Sequence, residues 1–128
     1  MPIIIDGWNF IRNRSSPISD DNGDALDSAL HLIAYLNRFQ KTHGDPIIVA
    51  FDSRREHLDF DYENTPMVKI VAAKNADQYI KKYIEKVPEK QRRNLRVVSS
   101  DNEVFFFAKS FYATPIRCEE FWSKMKRG

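Results

Sequence analysis

The sequence predicts an α/β domain built on a mainly parallel sheet of about five strands, with helices on both faces. Three observations predict it. Short apolar runs alternate with longer segments of helical spacing, the runs are rich in β-branched residues, and several of them are continuously apolar, as strands buried on both faces are. A parallel crossover must carry the chain back across the sheet, and right-handed crossovers align the carboxyl ends of the strands along one edge, where open α/β proteins bind ligands. That edge is where function is expected.

Ile3 to Ile5 read as the first buried strand, broken by Asp6-Gly7. After the polar stretch from Arg12 to Gly23, Leu26, Ala29, Leu30, Ile33, Leu36 and Phe39 recur at helical spacing, and Gly44 stops the helix. Pro46 opens a second strand, Ile47 to Phe51, which Asp52-Ser53 ends. Arg54 to Pro66 show no period and read as a long loop or irregular segment. A third strand, Val68 to Ala72, leads into a helix from Ala76 to Val87 that Pro88 closes, its stripe being Ala76, Tyr79, Ile80, Tyr83, Ile84 and Val87. Leu95 to Val98 form a fourth strand ending at Ser99-Ser100-Asp101, followed by a helix through Phe105 and Ala108 to about Phe111. A short fifth strand near Thr114 to Arg117 and a final helix from Glu119 to Met125 complete the pattern.

With 128 residues, 42% of them hydrophobic and 30% charged, the chain is expected to be one domain spanning 1–128 around a single core. No apolar run approaches the roughly 20 residues that span a bilayer, and the first residues lack the features of a signal peptide, so the expected location is cytoplasmic. Cys118 is the lone cysteine, which excludes an internal disulfide and a cysteine-rich zinc site. The net charge of +2 says little, but its distribution is uneven: Lys81, Lys82, Lys86, Lys90, Arg92, Arg93 and Arg96 face only Glu85 and Glu89. A basic surface next to acidic strand ends is therefore expected.

Three apolar strands end directly in an aspartate: Asp6, Asp52 and Asp101. A fourth, Asp77, opens the helix after the remaining strand. Taken singly, each has a turn or helix-capping reading, and so does Ser100. Their recurrence at successive strand ends points further, because gathered carboxylates repel one another unless a cation shares the site, and a hard ion such as Mg²⁺ or Mn²⁺ suits oxygen ligands. Asp20, Asp21, Asp24, Asp59 and Asp61 lie in polar stretches and read as solvated or capping residues.

The stretch Ile4-Ile5-Asp6-Gly7-Trp8-Asn9-Phe10-Ile11 resembles the opening motif of NYN-domain proteins, particularly their YacP-like branch. The resemblance continues in order through Val49-Ala50-Phe51-Asp52, Asn75-Ala76-Asp77-Gln78-Tyr79-Ile80 and Val98-Ser99-Ser100-Asp101-Asn102-Glu103-Val104. It implies a PIN-like three-layer α/β/α sandwich, divalent-metal binding and endoribonuclease activity, with Asp6, Asp77 and Asp101 as metal-site acids, Asp52 in support and Asn9 at a functional position. An acidic pair common at the third motif is represented here by Asp77 beside Gln78.

On this reading RNA is hydrolysed by in-line attack of water at a site holding Mg²⁺ or Mn²⁺, leaving a 5′-phosphate and a 3′-hydroxyl. The alternative is a catalytically weak RNA-binding or RNA-processing partner that retains the fold, with the ribosome or another protein delivering RNA in either case. Asn9 has two roles open to it, a turn hydrogen bond or the orientation of a carboxylate, water or phosphate. Trp8 either packs or stacks on a base. Arg12, Arg14, Arg54 and Arg55 lie in loops after strand ends and are expected at phosphates, as are Ser100 and the cluster at Arg92 and Arg93, for which a solvated surface is the plainer reading. There is no Gly-rich phosphate loop, no G-x-S-x-G and no H-E-x-x-H, and His31, His43 and His57 lack ligand spacing.

Overall fold

Apolar runs too short for helices pair here into one parallel sheet, described in a computed structural model for residues 2–18, 25–53 and 67–127. The strands are β1 (Ile3–Asp6), β2 (Ile47–Asp52), β3 (Val68–Ala73), β4 (Arg96–Val98) and β5 (Thr114–Ile116), in the order β3-β2-β1-β4-β5. Every pairing is parallel: Ile5 lies beside Val49 on one side and Val98 on the other. The order reverses at β1, so the crevice between the carboxyl ends of β1 and β4 is a topological switch point. Asp6 and the segment leading to Asp101 flank it.

The helices are α1 (Gly7–Ile11), α2 (Ala25–His43), α3 (Ala76–Lys86), α4 (Asn102–Ser110) and α5 (Cys118–Arg127). Alternation along β1 divides the core. Ile3 and Ile5 join Phe10, Leu32, Leu36, Phe121 and Trp122 in a cluster with α1, α2 and α5, whereas Ile4 joins Ile80, Ile84, Val104 and Ala108 in a second with α3 and α4. The result is the three-layer PIN-like sandwich. Its largest buried side chain, Trp122, stacks on Phe10 at 4.0 Å between ring centroids and donates from Nε1 to the Phe10 carbonyl at 2.8 Å. That contact fastens α5 to α1, and with it two loops of the carboxyl edge.

The structure differs from the sequence reading in instructive places. Asp6-Gly7 does not simply end β1: the chain turns at once into α1, a helix too short for periodicity to reveal. The buried stripe of α2 runs through Leu32, while Leu30 is exposed, because the true face is rotated by part of a turn. Residues Glu89–Asn94, which carry Arg92 and Arg93, form a 3₁₀ helix. The segment read as a long loop, with Arg54, Arg55 and His57, lies outside the described residues, as do Asp20, Asp21, Asp24, Asp59 and Asp61. Among the described residues no helix is long and apolar enough to cross a membrane.

Candidate active site at the carboxyl edge of the sheet

Asp6 ends the central strand and is nearly buried, 8% exposed. It occupies the N-cap position of α1 without a well-formed capping hydrogen bond, although the Asn9 backbone N–H lies close enough to favour its charged form. Burial pushes its pKa up to about 7, repulsion from Asp77, Asp101 and Asp52 adds to the rise, and the nearby Asn9 backbone N–H offsets part of it. Three carboxylates, those of Asp77, Asp101 and Asp52, thus act on Asp6 across this edge. Among the described residues, no three His, Cys, Asp or Glu groups already stand at the spacing one ion would impose.

The neighbours are held in different ways. Asp52 Oδ2 accepts from the Ala76 backbone N–H at 3.4 Å, which ties the end of β2 to the start of α3. Asn75, and not Asp77, caps α3, its side chain accepting from the Gln78 N–H at 3.2 Å. Asp77 is left in the first turn, where the helix dipole favours a negative charge. Asp101 does cap α4: Oδ1 accepts from Glu103 N at 2.8 Å and Val104 N at 3.3 Å. One oxygen therefore fixes the helix, and the geometry of the cap orients the other.

Asn9 joins two loops instead of making a local turn bond. Its Oδ1 accepts from the Ser100 backbone N–H at 2.7 Å and from the Cys118 thiol at 3.2 Å, with Ser99 Oγ at 3.5 Å. The buried thiol keeps its proton, since burial pushes its pKa up to about 11. Asn9→Ala is expected to strand these donors and to cost about 2 kcal/mol of stability. A urea melt and faster amide exchange at Ser100 would register the loss.

Glu119 was read from the sequence only as the start of a helix, although it follows the fifth strand as the aspartates follow the others. Its Oε2 accepts from Asn13 Nδ2 at 3.2 Å and from Ser100 Oγ at 3.0 Å. Its own backbone N–H, ahead of those two donors and nearby Arg117, holds its carboxyl below the ordinary range despite some desolvation. Ser100 Oγ in turn accepts from Cys118 N at 3.0 Å. The hydroxyl expected at phosphate is thus engaged in fixing the loop before Asp101.

An open cleft of about 530 Å³ along α1 and the residues after it is lined by Trp8, Asn9, Arg12, Asn13 and Arg14. Trp8 itself is packed, not displayed: its ring meets Phe51 at 4.9 Å and its Nε1 donates to the Asp52 carbonyl at 3.0 Å. The Arg12 guanidinium lies 4.9 Å from the Trp8 ring centroid. Arg92 and Arg93 precede β4 and therefore sit at the opposite edge of the sheet from Asp6, not beside it. Arg92 donates to the Val87 and Glu85 carbonyls at 2.9 and 3.1 Å, closing the end of α3.

The all-parallel five-stranded sandwich has the PIN-like fold, a class whose members are generally nucleases. The chain belongs to the YacP-like NYN domain family, whose model matches residues 3–128. That family implies a nuclease or RNA-related function. The fold is similar to the crystal structure of Rae1 (YacP) from Bacillus subtilis, with a TM-score of 0.75 and 19% identity over 99% of this chain and 74% of that one. A tryptophan-to-leucine mutant of the same protein matches at TM-score 0.73 and 17% identity, covering 99% and 75%. No curated protein matches the chain.

Proposed function

We propose that this domain is a metal-dependent endoribonuclease that hydrolyses RNA phosphodiester bonds at the carboxyl edge of its sheet. The observation that carries the reading is the buried Asp6 carboxylate at the switch point, within electrostatic reach of Asp77, Asp101 and Asp52. An all-oxygen, acid-rich donor set fits a hard divalent cation, and such a charge also relieves the repulsion that burial alone leaves in place.

In this reading Asp6, Asp77 and Asp101 hold Mg²⁺ or Mn²⁺, and Asp52 supports Asp6 from its place at the end of β2. When bound, the ion supplies a Lewis acid that makes water more acidic and offsets the charge building on the phosphate. Asn9 keeps the loop of Ser99 to Asp101 at a fixed distance from Asp6, and Glu119 braces the same loop from α5. Arg12 and Arg14, beside the cleft, place phosphates against the acids, with Arg54 and Arg55 assigned the same task. Water attack in line with the leaving oxygen yields a 5′-phosphate and a 3′-hydroxyl.

The test incubates purified protein with mixed structured and single-stranded RNA in Mn²⁺, Mg²⁺ or EDTA and maps the product ends. Internal cuts bearing 5′-phosphates in the metal arms alone are expected. RNA binding without cleavage in any arm would instead support an RNA-processing partner that has kept the fold, and cleavage indifferent to EDTA would overturn the metal assignment.

Arg93 supplies a more distant phosphate contact, near Lys90 on the other edge. Losing it reduces counterion release, so Arg93→Ala is expected to weaken RNA binding several-fold at low salt and hardly at all at high salt, with melting unchanged. Arg92→Ala behaves differently, because the guanidinium that closes α3 is lost and the protein melts at lower temperature. Identical binding by the Arg93 variant across a salt titration would leave that edge a solvated surface.

A further inference from the structure

We propose that Phe105, Phe106 and Arg117 form a platform on which an unpaired RNA base stacks beside the acidic site. The inference rests on the ribonuclease reading and narrows its substrate to RNA that is single-stranded at the cut.

Helix α4 buries Val104 and Ala108 against the sheet, with Phe107 and Phe111 packed on the same cluster. Its other face is aromatic where a solvent-facing helix is ordinarily polar. Phe106 is 53% exposed, and its ring meets that of half-buried Phe105 edge-on at 5.4 Å. Neither ring is needed to fill the core. Exposed Lys109 follows Phe106 by three residues and Phe105 by four, which places a cation on the same face.

Arg117 turns this face into a built surface. Its guanidinium lies 3.7 Å from the Phe105 ring centroid and 5.9 Å from that of Phe106. Nη1 donates to the Ser100 carbonyl at 3.2 Å and to Asn102 Oδ1 at 2.9 Å, which fixes the plane of the group and joins it to the loop before Asp101. Its positive charge also acts on the neighbouring Glu119 carboxylate, so the group is held in place from both sides. Arg117 comes from the end of β5 and the two rings from α4, so the surface spans two elements of the carboxyl edge.

Position selects the occupant. Phe105 N donates to the Asp101 carbonyl, so the platform begins one helical turn, about 5.4 Å, from the capping aspartate. A nucleotide next to a phosphate held at the acids reaches that distance. Flat rings with flanking cations suit a base and its backbone, whereas a paired base inside an A-form helix cannot present its face. Stacking tolerates any base, so the platform selects for unpaired RNA without reading sequence.

The test measures binding of a short fluorescein-labelled single-stranded RNA, and of its duplex, to wild type, Phe106→Ala and Phe106→Trp in EDTA, where cleavage is prevented, at low and high salt. Phe106→Ala is expected to weaken single-strand binding on the order of tenfold at both salt concentrations, since stacking releases no counterions, and to leave duplex binding and melting unchanged. Phe106→Trp is expected to restore or exceed wild-type binding. Wild-type affinity in the alanine variant overturns the platform and leaves the ribonuclease reading standing, whereas wild-type protein that binds no RNA in EDTA and cuts none in Mn²⁺ or Mg²⁺ overturns both. Loss of self-association in sedimentation, with RNA binding intact, would assign the exposed rings to a second copy of this chain.

Discussion

Asp6→Asn is expected to reduce metal-dependent cleavage by at least the roughly 10- to 100-fold that follows loss of groups supporting a metal site, while leaving the metal-free protein as stable or more so. The amide keeps the size of the carboxyl and removes its charge, so affinity for a hard cation falls. The stability effect has the opposite sign because the native site is uncomfortable for the charge: the folded pKa of about 7 stands above the ordinary 3.8. Below pH 3.8 the group is protonated in both states and contributes nothing; between 3.8 and about 7 the unfolded chain loses the proton first, so stability declines as pH rises; above about 7 the full penalty is present. Its size is about 4 kcal/mol as an upper figure, before relaxation of the site. Metal-free wild type should therefore melt progressively lower from pH 4 to pH 7.5, and the variant should lose much of that slope. A turn aspartate predicts the reverse, a modest loss of stability with cleavage retained. Paired melts in EDTA and Mn²⁺, with cleavage by the same preparations, decide between them: normal cleavage and a full metal-induced rise in Tm in Asp6→Asn would remove Asp6 from the centre of the site.

Much of the carboxyl edge was legible because its signal is local. An apolar run followed by Asp states both the strand and the end at which the acid lies, and parallel order then collects Asp6, Asp52 and Asp101 without any knowledge of packing. The family motif was legible for the same reason. Glu119 was not, although it follows β5 in the same manner, because β5 is three residues long and its Thr-Pro-Ile makes a weak run. Long-range partners were also hidden. The bonds from Asn9 to Ser100 and Cys118 join residues 91 and 109 positions apart, and no spacing rule connects them. The basic cluster shows the converse failure: Arg92 and Arg93 are near Asp101 in sequence, but a strand intervenes and carries the chain from one edge of the sheet to the other. Sequence proximity across a parallel strand means spatial separation by the strand's length.

Gly7→Ala is expected to cost about 1–3 kcal/mol of stability and to lower cleavage further than that loss explains, because the first helical residue after Asp6 has no room for a side chain. The reason is close approach and not backbone torsion. Positive φ among the described glycines belongs to Gly44, at 76°, whereas a Cβ on Gly7 would stand 2.6 Å from both Cδ1 and Cε1 of Phe51 and 3.2 Å from the Ala50 carbonyl oxygen. Phe51 cannot move aside cheaply, being 1% exposed and packed on Trp8 at 4.9 Å. Relief must then come from α1, which carries Asn9, or from β2, which carries Asp52. Either movement changes the spacing of groups around Asp6, and a displacement near 1 Å in a catalytic constellation costs on the order of a hundredfold in rate. Phe51→Leu shortens the obstructing side chain and isolates the cause. Alone it loses packing, but with Gly7→Ala it should recover part of the alanine penalty, giving a coupling of about 1 kcal/mol or more in a double-mutant cycle measured by urea denaturation. Strictly additive losses would mean that the Gly7–Phe51 contact does not set the position of α1, and that another constraint holds Asn9 opposite Asp6.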